Sequence, residues 1–165
     1  MAEPTAAPQP IYITPEGFDT LQGEAQALWV RRADVTRALA AAAAEGDRSE
    51  NAEYIYRKKE LREIDRRIRY LQRRLPVLRV VRDLPRDRER IYFGAWVTLE
   101  DEAGETFRYR IVGPDELNPS LGYISMDSPM ARALLKKTLD DQVRVWTPVG
   151  ERQLIVLDIG YQAPP

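Results

Sequence analysis

The sequence predicts an α+β fold in two domains, an antiparallel coiled-coil hairpin followed by a small α+β domain. Two heptad stripes of apolar residues separated by a short polar break predict the hairpin, and a switch to alternating apolar and polar residues after Pro85 predicts the second domain. A chain of 165 residues with 44% apolar composition is long enough to bury a core in each.

Residues 1–10 are rich in Ala and Pro, and such a segment has too little to bury to offset the entropy of ordering it, so a flexible tail is expected. Thr14-Pro15-Glu16 then reads as a helix start, with Thr14 as cap, Pro15 at the first helical position and Glu16 at the positive end of the dipole. Phe18, Leu21, Ala25, Leu28, Val35 and Leu39 follow spacings of three and four, interrupted where Arg32 takes a seam position. The run Ala40 to Ala44 extends the helix until Gly46 breaks it. A second stripe passes through Tyr54, Leu61, Ile64, Ile68, Leu71, Leu75 and Leu78, with Arg57 as its polar exception and Pro76 positioned to kink its end. Two seams of similar length joined by a short break bury each other by folding back, with Gly46 to Glu50 at the tip. At 1.5 Å per residue, about thirty residues make an arm of roughly 45 Å. The expected division is a tail at 1–10, an arm at 11–80 with its acidic tip at 46–53, and a second domain at 81–165.

In that second domain, Trp96 to Leu99 is strand-like, Asp101 to Gly104 offers a turn, and Phe107, Tyr109 and Ile111 alternate with Arg108 and Arg110. A polar loop runs from Asp115 to Gly122, Tyr123 to Ser125 suits a short strand, and Asp127-Ser128-Pro129 introduces a helix expected to reach Lys137. Val143 to Trp146 and Leu154 to Ile159 add two strands around a turn at Pro148 to Glu151.

Charge and composition narrow the chemistry. The 25 basic and 26 acidic residues nearly cancel, so electrostatic function depends on local segregation. The absence of Cys and His excludes thiol and imidazole mechanisms and most zinc sites. No stretch of about 18 apolar residues spans a bilayer, and residues 1–10 lack the pattern of a signal peptide, so a cytoplasmic protein is expected.

The tip places Asp47, Glu50 and Glu53 within seven residues. Asp47 followed three residues later by Glu50 is a capping-box arrangement, in which both side chains bond backbone amides. The same pair, three apart at a helix start, also suits a hard divalent cation, and two carboxylates hold Mg²⁺ only where a partner completes the octahedron. Behind the tip, residues 57–79 carry ten Arg or Lys against three acidic residues. Some of these pair along the helix, and Arg57, Lys58, Lys59 and Arg62, nearest the tip, form a candidate track for RNA phosphates.

Four blocks in this order resemble the GreA/GreB family of bacterial transcript cleavage factors. They are Gly46-Asp47-Arg48-Ser49-Glu50-Asn51-Ala52-Glu53-Tyr54, then Leu61-Arg62-Glu63-Ile64-Asp65-Arg66-Arg67-Ile68-Arg69-Tyr70-Leu71, then Tyr92-Phe93-Gly94-Ala95-Trp96-Val97, and last the run from Ile124-Ser125-Met126-Asp127-Ser128-Pro129 through Lys137. The likeness covers residues 11–161, and the dense basic run and the Asp127 to Lys137 block are more similar to the GreB branch. It implies an arm that enters the secondary channel of RNA polymerase and a second domain, of FKBP-like fold, that docks at the channel rim. It also implies that Asp47 and Glu50 act as the catalytic-tip carboxylates, holding Mg²⁺ jointly with the polymerase and orienting water for attack on backtracked RNA. On this reading the chain has no cofactor of its own and is not itself an enzyme.

Ser49 and Tyr54 lie close enough to assist, although Ser49 is equally a helix-start residue and Tyr54 equally a seam residue. Asp127, Ser128 and Pro129 form a helix cap that the resemblance also places against the polymerase. The expected partners are RNA polymerase and the 3′ end of the nascent RNA, with no membrane and a monomeric chain. Two rival functions stand beside cleavage stimulation. One is a channel-binding regulator without cleavage, against which the retention of both carboxylates counts. The other is a peptidyl-prolyl isomerase, for which fold alone is a weak warrant.

Overall fold

The structure, a computed structural model, describes residues 9–46 and 51–162. Its elements in chain order are β1 (Ile11–Ile13), α1 (Pro15–Ala43), α2 (Ala52–Arg74), β2 (Leu78–Val80), β3 (Trp96–Asp101), β4 (Thr106–Val112), β5 (Tyr123–Ser125), α3 (Pro129–Leu134), β6 (Gln142–Thr147) and β7 (Gly150–Gly160). The fold is mixed α+β. Two units share the chain: Phe18–Leu78 forms one, and the chain before Phe18 joins the chain from Arg79 onward to form the other.

In the helical unit the two long helices bury one stripe each. Leu21, Val35 and Ala42 of α1 and Ile64, Ile68 and Leu71 of α2 are buried, and Val35 packs with Ile64 and Ile68 between the half-buried Leu28 and Leu61. Burial of methyl and methylene groups along this seam is the main stabilising term. Both polar seam residues are ion-paired. Arg32 Nε donates to Asp65 Oδ1 at 2.7 Å, and Arg57 donates to Glu53 at 2.7 Å and to Glu60 at 3.0 Å. Arg31 joins Glu60 at 2.5 Å, and Arg67 grips Glu24 with two hydrogen bonds of 2.6 and 3.0 Å. Glu24 pairs with Arg67 while Arg31, seven residues on, pairs with Glu60, seven residues back, which fits an antiparallel register.

Leu78, expected on the second seam, instead opens β2. Pro76 has no amide hydrogen to continue α2, so the chain tightens into a 3-10 turn at Leu75–Val77 and leaves the helix.

In the other unit, β2 pairs with β1, and the remaining strands form a sheet in the order β5-β4-β3-β7-β6, antiparallel except where β5 lies parallel to β4. Alternate residues Val97 and Leu99, Val143 and Val145, and Leu154 and Val156 face one core, which α3 covers with Ala131 and Leu134. Helix α3 ends at Leu134, short of the expected Lys137, because the chain leaves helical dihedrals at Leu135, with ψ of 134°, and Lys136 has φ of 70°. The departing chain pairs with the segment before β3, Lys136 N donating to Ile91 O at 2.7 Å and Ile91 N to Lys137 O at 2.9 Å.

The first turn of α1 is anchored to this unit. Thr14, almost fully buried, caps α1 by accepting from Gly17 N at 3.1 Å. The Glu116 carboxylate accepts from Thr14 N at 3.0 Å and Gly113 N at 2.8 Å, and the Thr14 hydroxyl also donates to it. Gly113 is required here, since a β-carbon would overlap the carbonyl oxygen of Tyr12. Glu116 thus lies in an ordered 3-10 turn, Pro114–Glu116, within what the sequence presents only as a polar loop.

Candidate functional site

Asp47, Ser49 and Glu50 lie outside the described residues; the structure defines the two helix ends between which they are strung. Helix α1 ends at Ala43, and α2 begins at Ala52 with Asn51 as its N-cap. Asn51 Oδ1 accepts from Tyr54 N at 3.0 Å, and Asn51 Nδ2 donates to Ala42 O at 2.7 Å. Asn51 is thus the N-cap of α2. Asn accepts as well as Asp at an N-cap and brings a donor that Asp lacks. The capping box that the sequence offers at Asp47 and Glu50 lies outside the described residues.

Just past the cap, Tyr54 is half-buried, with the Lys58 ammonium 5.9 Å from its ring centroid. Arg57 belongs to the network Glu53–Arg57–Glu60–Arg31, which binds the two helices below the tip. Burial pushes the Glu60 carboxyl up, but hydrogen bonds from Arg31 and Arg57 outweigh it and hold the group below its ordinary value. The bonds to Glu53 and Glu60 likewise raise the Arg57 guanidinium, and the bond to Asp65 raises Arg32. Arg57 is therefore committed within the hairpin, unlike its neighbours in the predicted RNA track.

Lys59 and Arg62 are exposed and have no ion-pair partner among the described residues, and the same holds for Arg66, Arg69 and Arg73. These five recur at spacings of three and four and so form one stripe along α2. From Lys59 to Arg73 the stripe is roughly 21 Å long at 1.5 Å per residue. Its far end lines a groove of about 430 Å³ with Tyr70, Arg74 and Val77.

In the sheet unit, Ser128 caps α3 by accepting from Ala131 N at 3.2 Å, with Pro129 at the first helical position as the sequence predicts. Asp127 and Pro129 are exposed, and Asp127 N donates to Ser125 Oγ at 3.1 Å.

A family model described as "Transcription elongation factor, N-terminal" matches residues 11–80, and one described as "Transcription elongation factor, GreA/GreB, C-term" matches residues 86–161. The chain belongs to the GreA/GreB family of transcription elongation factors. Its curated relatives include transcription elongation factor GreB of Pseudomonas aeruginosa, 58% identical, with 98% of this chain and 96% of the relative covered. GreB of Xanthomonas axonopodis pv. citri is 57% identical over 96% of this chain and 95% of its own length. Among solved structures, GreA factor homolog 1 (Gfh1) of Thermus thermophilus is 27% identical over 92% of this chain and 99% of its own, with a TM-score of 0.43. GreA/GreB factors act on RNA polymerase and stimulate its transcript cleavage without being enzymes themselves. No helix among the described residues of this GreA/GreB factor is long and apolar enough to cross a membrane.

The sequence reading does not single out two features of this GreA/GreB factor. The spacing of Arg66, Arg69 and Arg73 was available as a signal, since it continues Lys59 and Arg62 in the same rhythm. Asn51 had no such signal, because its role depends on a carbonyl nine residues earlier.

Proposed function

We propose that this chain stimulates cleavage of backtracked RNA by carrying Asp47 and Glu50, on the tip of its hairpin, through the secondary channel to the active site of RNA polymerase. The observation that supports this reading is the position of both carboxylates in the eight-residue connection, Ala44 to Asn51, of an arm matched by the family along residues 11–80. Carboxylate oxygens are hard donors that suit Mg²⁺, and a pair of them leaves coordination positions for the polymerase's own ligands. Asp47 and Glu50 would hold such an ion jointly with the polymerase, and it would supply electrostatic stabilisation for phosphodiester displacement. Asp47 and Glu50 supply negative charge and orient the attacking water, with Ser49 and Tyr54 as positioning neighbours. Lys58, Lys59 and Arg62 meet the phosphates of the extruded 3′ segment, while Arg57, expected with them, stays paired with Glu53 and Glu60.

The proposed division of labour assigns the helical unit within residues 11–80, Phe18–Leu78 with its tip at 46–53, to the channel, and 81–165, joined by residues 11–17, to docking at the channel rim through Asp127, Ser128 and Pro129. The factor acts as a cytoplasmic monomer with no cofactor of its own.

Asp47→Asn and Glu50→Gln test the reading on purified backtracked elongation complexes, with RNA shortening followed across a Mg²⁺ titration. Each change keeps side-chain size and removes charge, so the expected result is lost cleavage at unchanged polymerase binding, partly restored at high Mg²⁺. Normal cleavage by both variants rejects the metal role.

A further inference from the structure

We propose that Asn51 is a positioning residue for the tip: a single side chain caps both helices of the hairpin and so fixes the two ends of the connection that carries Asp47 and Glu50. The inference rests on the cleavage reading above and adds to it the residue that sets the geometry of those carboxylates. In an α-helix the Ala42 carbonyl accepts from the amide four residues on, but α1 ends at Ala43 and Gly46 has φ of 133°, outside helical values. Glu45 N approaches Ala42 O at 3.2 Å, and Asn51 Nδ2 supplies a second and shorter bond at 2.7 Å. The same amide group, through Oδ1, accepts from Tyr54 N at 3.0 Å and so satisfies one of the free donors at the start of α2.

An ordinary N-cap needs only the acceptor half of this arrangement. Ser, Thr and Asp accept as Asn does, yet none offers a side-chain donor that reaches the opposite helix. The donor half therefore does something that stability of α2 does not require. Ala42, to which it is tied, is itself almost fully buried in the hairpin, so Asn51 references the start of α2 to the packed seam of α1. No backbone–backbone bond between the two helices does this at the tip among the described residues.

The two halves separate experimentally. Asn51→Ser keeps a good cap, adds no charge and is too short to reach Ala42 O, whereas Asn51→Ala removes both bonds. The full-length variants are assayed on backtracked complexes beside Asp47→Asn, recording the plateau cleavage rate at saturating factor, the factor concentration at half-saturation, and the melting temperature. The expected outcome for Asn51→Ser is a plateau rate reduced roughly ten- to a hundredfold, the scale set by misplacement of a catalytic group by about 1 Å. Half-saturation and melting should stay at the parental values. Asn51→Ala should lose the same rate and also melt lower.

A parental plateau rate for Asn51→Ser, with Asp47→Asn inactive, overturns the positioning role and leaves the carboxylate reading standing. Full activity of Asp47→Asn removes the carboxylate reading itself. Loss of rate by Asn51→Ser only in proportion to lowered melting or weakened polymerase binding makes Asn51 a stabilising residue and also overturns the proposal.

Discussion

Replacing Arg66, Arg69 and Arg73 together by Gln removes the distal three cations of the five-residue stripe on α2 and leaves Lys59 and Arg62 near the tip. None of the three holds an acidic partner among the described residues, so the fold should tolerate the change. Each phosphate neutralised on a single strand contributes about 0.7 to the slope of log affinity against log salt. Five contacts thus predict a slope near 3.5 for the intact stripe, and two contacts about 1.4 for the variant. Raising salt fourfold, from about 50 to about 200 mM, then weakens the RNA-dependent part of binding roughly a hundredfold for the parent and roughly sevenfold for the variant. The assay is half-saturation of cleavage on complexes with long and with short extruded RNA, each across a salt series. On short segments, which reach only Lys59 and Arg62, the two proteins should behave alike. Equal salt slopes on the long segments, or equal losses on long and short, would refute the assignment of the stripe to RNA.

Three further outcomes follow from the packing and charge of the two units. Ile68 is buried between Val35 and Ile64, so Ile68→Ala should cost about 2–5 kcal/mol of hairpin stability by chemical denaturation, and a loss below about 1 kcal/mol would show a seam looser than described. Glu60 is held below its ordinary value of 4.5, so its pairing with Arg31 and Arg57 stabilises the hairpin above that pH and is lost as pH falls through the lower folded value. Glu60→Gln should therefore flatten the acid limb of helix melting followed by circular dichroism, and an unchanged limb would remove Glu60 from the acid response. A chain in which residues 19–77 give way to a short flexible linker keeps β1 beside β2 and the Thr14–Glu116 anchor. It should bind polymerase in pull-down without stimulating cleavage, and loss of binding would assign the affinity to the arm.

Long periodic elements were readable because their burial repeats along the chain. The seam residues Leu21, Val35, Ile64 and Ile68 announce themselves at spacings of three and four, and Val97 and Leu99 at a spacing of two. The three-residue strands β1 and β2 are too short to show a period, and their pairing joins segments separated by the whole arm. Glu116 looks like a solvated loop residue until its bonds to Thr14 are seen, 102 positions away. At the tip, the acidic residues stand out in the sequence, but the cap of α2 does not: Asn51 takes that place by a bond to Ala42 that no local spacing announces. The basic quartet was readable as charge alone. Only contacts show that Arg57 is spent on Glu53 and Glu60, while Arg66, Arg69 and Arg73 continue the exposed line.

The pairing of β1 with β2 makes the arm an insertion within the sheet unit, and this bears on synthesis and on evolution. Ile11 emerges from the ribosome 67 residues ahead of Leu78, so the first strand waits unpaired until the arm has been made. Contacts within a helical hairpin are local and form quickly, and folding the arm first replaces a long floppy loop by a closed one whose ends are already neighbours. A lesion that melts the hairpin should consequently delay the pairing of β1 with β2. Length is also free to drift: heptads added to or removed from both helices together change the reach of the tip, while β1, β2 and the Glu116 anchor remain as they are.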